Sequence, residues 1–125
     1  MDDATLRAML QQQLGHAGTD PELSHAMYAE DAVLEFPQSG ERFEGLENFR
    51  EWRSQYPART SFELGEIRGG GDVWVAELTV TYDQGPTHFG VSILELNDRK
   101  IKRETIYVAE GWDPPEWRAK WRAAP

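Results

Sequence analysis

No cysteine occurs among the 125 residues. That absence removes disulfide frameworks, thiol nucleophiles and zinc–thiolate centres together. Long apolar runs are missing as well: none approaches the ~20 residues a membrane span needs, and the opening MDDATLRAML carries acids where a secretory leader carries positive charge. The expectation is a cytoplasmic protein without membrane contact. Positive charge is in short supply, with 13 Lys and Arg against 22 Asp and Glu and a formal charge of -9. The bases are scattered, so nucleic acid is not an expected partner. No Gly-x-Ser-x-Gly marks an activated serine, and His16, His25 and His88 lack the spacing of metal ligands. Surface histidines are expected, with no metal and no cofactor.

What is present is a change of period. In residues 2–14, Leu6, Met9, Leu10 and Leu14 recur at helical spacing, with Asp2 and Asp3 at the favourable positive end and Gly15 as a stop. Asp20 and Pro21 form a good start for a second helix running to about Ala29, with Leu23, Ala26 and Met27 on one face. Within YAEDAVLEFPQSGERFEG, residues 28–45, the helical pattern then gives way to alternation. Leu34 and Phe36 share one side of a strand that ends at Pro37 and the Gln38-Ser39-Gly40 turn. A short return strand, Arg42 to Glu44, leads to a third helix on which Leu46, Phe49, Trp52 and Tyr56 share a face until Pro57.

The rest reads as sheet and a tail. A strand from about Thr60 to Arg68 ends in Gly69-Gly70-Gly71, which reads as a flexible hairpin, because no helix follows to present its N-terminus to a phosphate. Val73 to Tyr82 alternates most clearly, its even positions Trp74, Ala76, Leu78, Val80 and Tyr82 facing inward. A four-residue turn at Asp83–Pro86 would pair Tyr82 with Thr87 and bring Phe89, Val91 and Ile93 inside. A turn tipped by Asp98-Arg99 would pair Leu96 with Ile101 and carry that face to Glu104, Ile106 and Val108. A change of one residue in either loop brings in His88 and Ser92 instead. Trp117 and Trp121 lie four apart on one side of the tail, which is expected to dock. Without repeats or linkers, residues 1–125 form a single domain.

This order of elements resembles the nuclear-transport-factor-2-like superfamily, and most of all its SnoaL-like branch. The residues carrying the resemblance are YAEDAVLEFP at the helix-to-strand switch, SGERFEG leading into the third helix, and KIKRETIY followed by PEWRAKW. It implies an α+β fold: a cone-shaped barrel of a curved, mixed, mostly antiparallel sheet packed on three helices of the N-terminal half. A deep, mainly apolar pocket would lie between sheet and helices, and homodimers would form through the outer face. Proteins of this fold include ketosteroid isomerase, polyketide cyclases, scytalone dehydratase and limonene epoxide hydrolase, besides binding and scaffold domains without catalysis. The isomerase motif resembles YADDATVEDP, whose last acid is the general base. In YAEDAVLEFP that place is Phe36. The isomerase's oxyanion-hole tyrosine falls at Gln12 and its protonated aspartate near Ile93, so isomerisation by that route is not implied.

Glu104 leads the catalytic candidates. A carboxylate desolvated by Ile93, Ile106 and Val108 would have a raised pKa and transfer protons near neutral pH, whereas an ion pair with Lys102 or a helix arginine would make it structural. Asp31 could reach the pocket mouth, although an acid there also caps a turn. Tyr28, Leu34, Phe36, Trp52 and Tyr56 are the expected pocket lining from the N-terminal half. Tyr82, Phe89, Val91, Ile93, Ile106 and Val108 complete it, and the aromatics among them serve equally as core. Three readings follow: proton-transfer chemistry on a small hydrophobic, cyclic or polyketide-like compound; binding of such a molecule without catalysis; or a pocketless dimeric scaffold filled by Phe36, Tyr82 and Phe89. The outer face, with Val75, Thr79, Thr81, Leu94, Thr105 and Tyr107, is expected to pair in a homodimer.

Overall fold

The computed structural model describes residues 2–15 and 25–124. Helix α1 (Asp3–Leu14) is followed by β1 (Tyr28–Phe36), β2 (Glu41–Glu44), α2 (Leu46–Ser54), β3 (Thr60–Gly70), β4 (Val73–Tyr82), β5 (His88–Asn97), β6 (Lys100–Glu110) and a 3-10 helix (Glu116–Trp121). Asp2 caps α1 by accepting from the Thr5 amide at 2.8 Å, and Leu6, Leu10 and Gln13 form its buried face. Most of the second expected helix lies outside the described residues. Its expected end at Ala29 does not hold: residues 25–27 are a turn, and Tyr28 already pairs in parallel with Ile101. The Ile101 amide donates to the Met27 carbonyl at 2.8 Å, and that ladder contact overrides the local helical pattern.

The six strands run in the order β2-β1-β6-β5-β4-β3. The sheet is curved and open rather than closed into a barrel. β1 and β6 are parallel, and the other neighbours are antiparallel. The glycine run is a hairpin, as its sequence implies. Gly70 pairs with Val73, Gly71 has φ 59°, and a Cβ on Gly69 would stand 2.4 Å from the Val73 carbonyl oxygen. Asp3 ties this hairpin to α1 by accepting from the Gly71 amide at 3.0 Å.

Two local features set which face each side chain of the meander takes. At the end of β4, Asp83 and Gln84 have φ 50° and 61°, and the Gly85 amide closes a tight turn on the Tyr82 carbonyl at 2.8 Å. Pairing resumes only after Pro86, which has no N–H, so Val80 lies opposite His88. The loop is therefore odd, and β5 is flipped relative to expectation: Gly90, Ser92 and Leu94 are inside, while Phe89 is 55% exposed on the outer face with Val91 and Ile93. Leu94 belongs to the core, not to the outer face. The second feature is a bulge. Leu96 pairs with Ile101 around the Asp98-Arg99 turn, but Glu95 pairs with Arg103, leaving Lys102 extra. That residue shifts the face of β6, so Glu104 stands opposite Leu94 and points inward. The expected placement of Glu104 inside holds because the bulge offsets the slip.

Helices α1 and α2 cover the inner face. Trp74, Phe49, Leu10, Leu34, Leu94 and Ile101 are fully buried between the layers. Beyond β6 the tail departs from the expectation that it docks: Trp112, Trp117 and Trp121 are 77%, 74% and 69% exposed.

Candidate functional site

On the inner face, β1, β5, β6 and α2 converge on one carboxylate. Glu104 is 4% exposed. One of its oxygens accepts from the Tyr28 hydroxyl, and the other accepts from Ser92 Oγ at 2.5 Å. Arg53 of α2 reaches the Tyr28-bonded oxygen with Nη2 at 3.7 Å, while its Nη1 lies 3.0 Å from His25 Nε2. The placement follows from local structure. Leu46, Phe49 and Arg53 are three and then four residues apart, so the arginine shares the apolar face of α2. Its guanidinium sits 5.3 Å from the Phe49 ring centre and 5.8 Å from that of Trp52. The Tyr28 ring meets Phe49 edge-on at 5.4 Å and His25 at 5.7 Å.

The electrostatics of the cluster are reciprocal. Burial pushes the Tyr28 phenol far above its ordinary value, and the charge of Glu104 pushes the same way, partly offset by Arg53. Tyr28 is therefore a neutral donor at every physiological pH. Burial works against the Arg53 charge, but Tyr28 and Glu104 outweigh it and hold the guanidinium above its ordinary value. Chemically, the site offers a carboxylate gathered by three donors, one of them cationic. Both oxygens of that carboxylate are hydrogen-bonded and a guanidinium stands beside it.

A profile of the SnoaL-like domain matches residues 6–104. The chain belongs to the SnoaL-like family. Among solved structures, an NTF-2 like protein of unknown function from Burkholderia xenovorans LB400 is 33% identical over 100% of this chain and 98% of that one, with a TM-score of 0.91. A candidate ketosteroid isomerase from Kribbella flavida DSM 17836 is 24% identical over 100% of this chain and 93% of its own, with a TM-score of 0.84. An LEH-like epoxide hydrolase from M. tuberculosis is 18% identical over 84% and 83% of the two chains, with a TM-score of 0.69. At these last two identities the likeness is one of fold. No curated protein matches the chain.

The candidate residues of this SnoaL-like domain separate into four places. Tyr28 is in the Glu104 cluster, and Leu34 lies directly opposite Glu104 across the β1–β6 ladder. Phe36, Trp52 and Phe43 make a second aromatic group, with Trp52 5.9 Å and 5.0 Å from the two phenylalanine rings. Tyr56 and Tyr82 stack at 5.8 Å, and His88 meets Tyr82 edge-on at 5.1 Å. Ile106 and Val108 follow Glu104 along the inner side of β6. Phe89, Val91 and Ile93 are not with them, since the flip of β5 puts all three outside.

Asp31 is exposed and paired with Lys102 at 2.7 Å, away from the inner face. The hydrogen bond and charge of Lys102 hold its carboxyl below the ordinary value. Sequence reasoning missed the specific roles of Arg53, Ser92 and His25. The signal for Arg53 was present, as an arginine at core spacing on α2. His25, expected at the surface, is buried beside Arg53 because the turn before β1 folds it under α2. Among the described residues no three His, Asp or Glu side chains gather as a metal site, and no helix is long and apolar enough to cross a membrane.

Among the described residues, hollows of about 420 and 290 Å³ lie along β3–β5 and at the β1–β2 hairpin. Neither is lined by Glu104. Among the described residues, the buried donors Trp52 Nε1 and Gln13 Nε2 have no acceptor, although the other end of the Gln13 amide accepts from the Met27 N–H.

Proposed function

We propose that this SnoaL-like domain binds a small hydrophobic molecule, cyclic or polyketide-like, between α2 and the inner face of the sheet, and acts on it by acid/base chemistry without a cofactor. The observation that carries the reading is the gathering of Tyr28, Ser92 and Arg53 on Glu104 within an otherwise apolar interior. In this scheme Glu104, as carboxylate, receives a proton from the bound molecule, and neutral Tyr28 moves its single hydrogen bond from Glu104 to an oxygen of that molecule. The unpartnered Trp52 N–H supports the binding part, because buried donors in native proteins are normally satisfied and a ligand acceptor would satisfy this one. The assembly is a homodimer through the outer sheet face, in the cytoplasm.

A second reading, binding without catalysis, draws on the same contacts: both oxygens of Glu104 are already engaged. Native mass spectrometry of the purified protein, followed by extraction of any bound compound, separates the two. Under the catalytic reading the compound is turned over by the wild type, and Glu104→Gln retains it without turnover. Retention by both proteins with no turnover by either would leave binding alone. Absence of any adduct, together with no thermal shift on adding cyclic ketones or epoxides, would overturn both.

A further inference from the structure

The C-terminal segment is the part of the chain that the body leaves unused. Its three tryptophans, Trp112, Trp117 and Trp121, are the most exposed large apolar side chains of the described residues, and they are three of the five in the protein. Two are topped by cations of the segment itself: Arg118 lies 6.0 Å from the Trp117 ring centre, and Lys120 lies 4.5 Å from that of Trp121. Trp117–Arg122 holds three bases and no acid in a chain of formal charge -9. Pro114 and Pro115 stiffen the link to β6, with Pro115 extended at φ -64° and ψ 137°. The tryptophans beyond it stay in solvent instead of folding back. Exposed tryptophan beside arginine is the composition of interface centres rather than of free surface.

The complementary surface is the outer-face groove of about 420 Å³. On the outer side Phe89 and Val91 form its apolar part, and Glu63 and Glu77 supply acids, Glu77 paired with Arg68 at 2.9 Å. The groove is apolar and acidic, whereas the segment is aromatic and basic. The two also adjoin. The tail leaves the sheet after Glu110, and a Cβ on Gly111 would lie 3.0 Å from Phe89 Cε2.

We propose that Trp117 and Trp121 of one copy dock in the outer-face groove of a second copy, and reciprocally, so that the C-terminal segment is an exchanged arm. The proposal rests on the outer-face homodimer and specifies what holds it together. The absence of native cysteine provides a direct test on the full chain. Ala119→Cys and Thr79→Cys, made as separate variants, mixed and oxidised, should give a covalent dimer, and Ala119→Cys mixed with Ser39→Cys should not. In sedimentation, Trp117→Ser with Trp121→Ser should weaken dimerisation at least tenfold, as should Glu63→Lys with Glu77→Lys. Should the tryptophan variant fail to fold by circular dichroism, the cross-link with both tryptophans intact decides. A dimer unaffected by the tryptophan changes and without the cross-link would sink the arm but keep the outer-face dimer. A monomer at 100 μM would sink both. A disulfide closing within one chain of the Ala119→Cys, Thr79→Cys double variant, or binding to anionic vesicles without cross-linking, would assign the arm to its own groove or to a lipid surface and overturn the proposal.

Discussion

β6 carries carboxylate–cation pairs on both of its sides, and the two sides are governed by different physics. On the outside, Lys102 meets Asp31 at 2.7 Å and Arg103 meets Glu35 at 3.1 Å, with water at hand. On the inside, Arg53 meets Glu104 at 3.7 Å, with Tyr28 and Ser92 completing the carboxylate's partners. The longer contact is the more consequential one. Outside, losing a partner returns a charge to solvent at little cost. Inside, it leaves an uncompensated charge among Leu34, Leu94 and Phe49. Distance alone is thus a poor guide to the worth of an ion pair.

The sharpest way to break this contrast is to merge the two sides. Inserting one residue between Arg103 and Glu104 would move Glu104 from opposite Leu94 to opposite Ile93 and turn it, with everything after it in β6, to the outer face. The expected result is loss of the cooperative thermal transition, and a melt like that of the wild type would mean that the register of β6 does not set the face of Glu104. Next in size, Glu104→Gln should lower the unfolding free energy by ~3–5 kcal/mol at neutral pH, measured in urea, because Arg53 loses its buried partner. An increase in stability would instead mark Glu104 as a neutral acid in the folded protein.

Smaller still, Tyr28→Phe should cost ~1.5–3 kcal/mol, the usual worth of a hydrogen bond to a charged group. It also has a signature in pH. The folded-state pKa of Tyr28 is raised above its ordinary 10.0, so its contribution is complete below pH 10.0 and is lost as pH rises from there toward the folded value. Wild-type stability should therefore fall with alkali more steeply than that of Tyr28→Phe, and parallel curves would contradict the buried contact. The smallest effect belongs to the outer pair: Asp31→Asn should leave the melting temperature at pH 7 and any turnover unchanged. The folded-state pKa of Asp31 lies below its ordinary 3.8, so what little the pair contributes is present above that pH and vanishes as pH falls through the depressed value. A marked loss of turnover in this variant would bring Asp31 back as a functional residue.

Legibility in the sequence followed the range of the interactions. α1, β4 and the Asp98-Arg99 turn were readable because each is written in a few neighbouring residues: a 3.6 period, a period of two, and two residues at positive φ in a tight hairpin. β5 was readable as a strand but not as to its faces, because these depend on whether the loop from Tyr82 to His88 is odd or even. Pro86 and the tight turn at Asp83-Gln84 settle that together. Glu104 was placed inside by pairing it with Ile93. It is inside opposite Leu94, since the bulged Lys102 compensates for the flipped strand.

The amino-acid sequence by itself determined the order of elements, the family and the absence of thiol chemistry, because each is a property of local pattern or composition. Only the tertiary structure decided that Glu104 and Ser92 face inward together, that Arg53 and His25 join them, and that Asp31 is left outside with Lys102. Those outcomes depend on register and on packing between elements far apart in the chain, where one extra residue reverses a face and no local rule counts it.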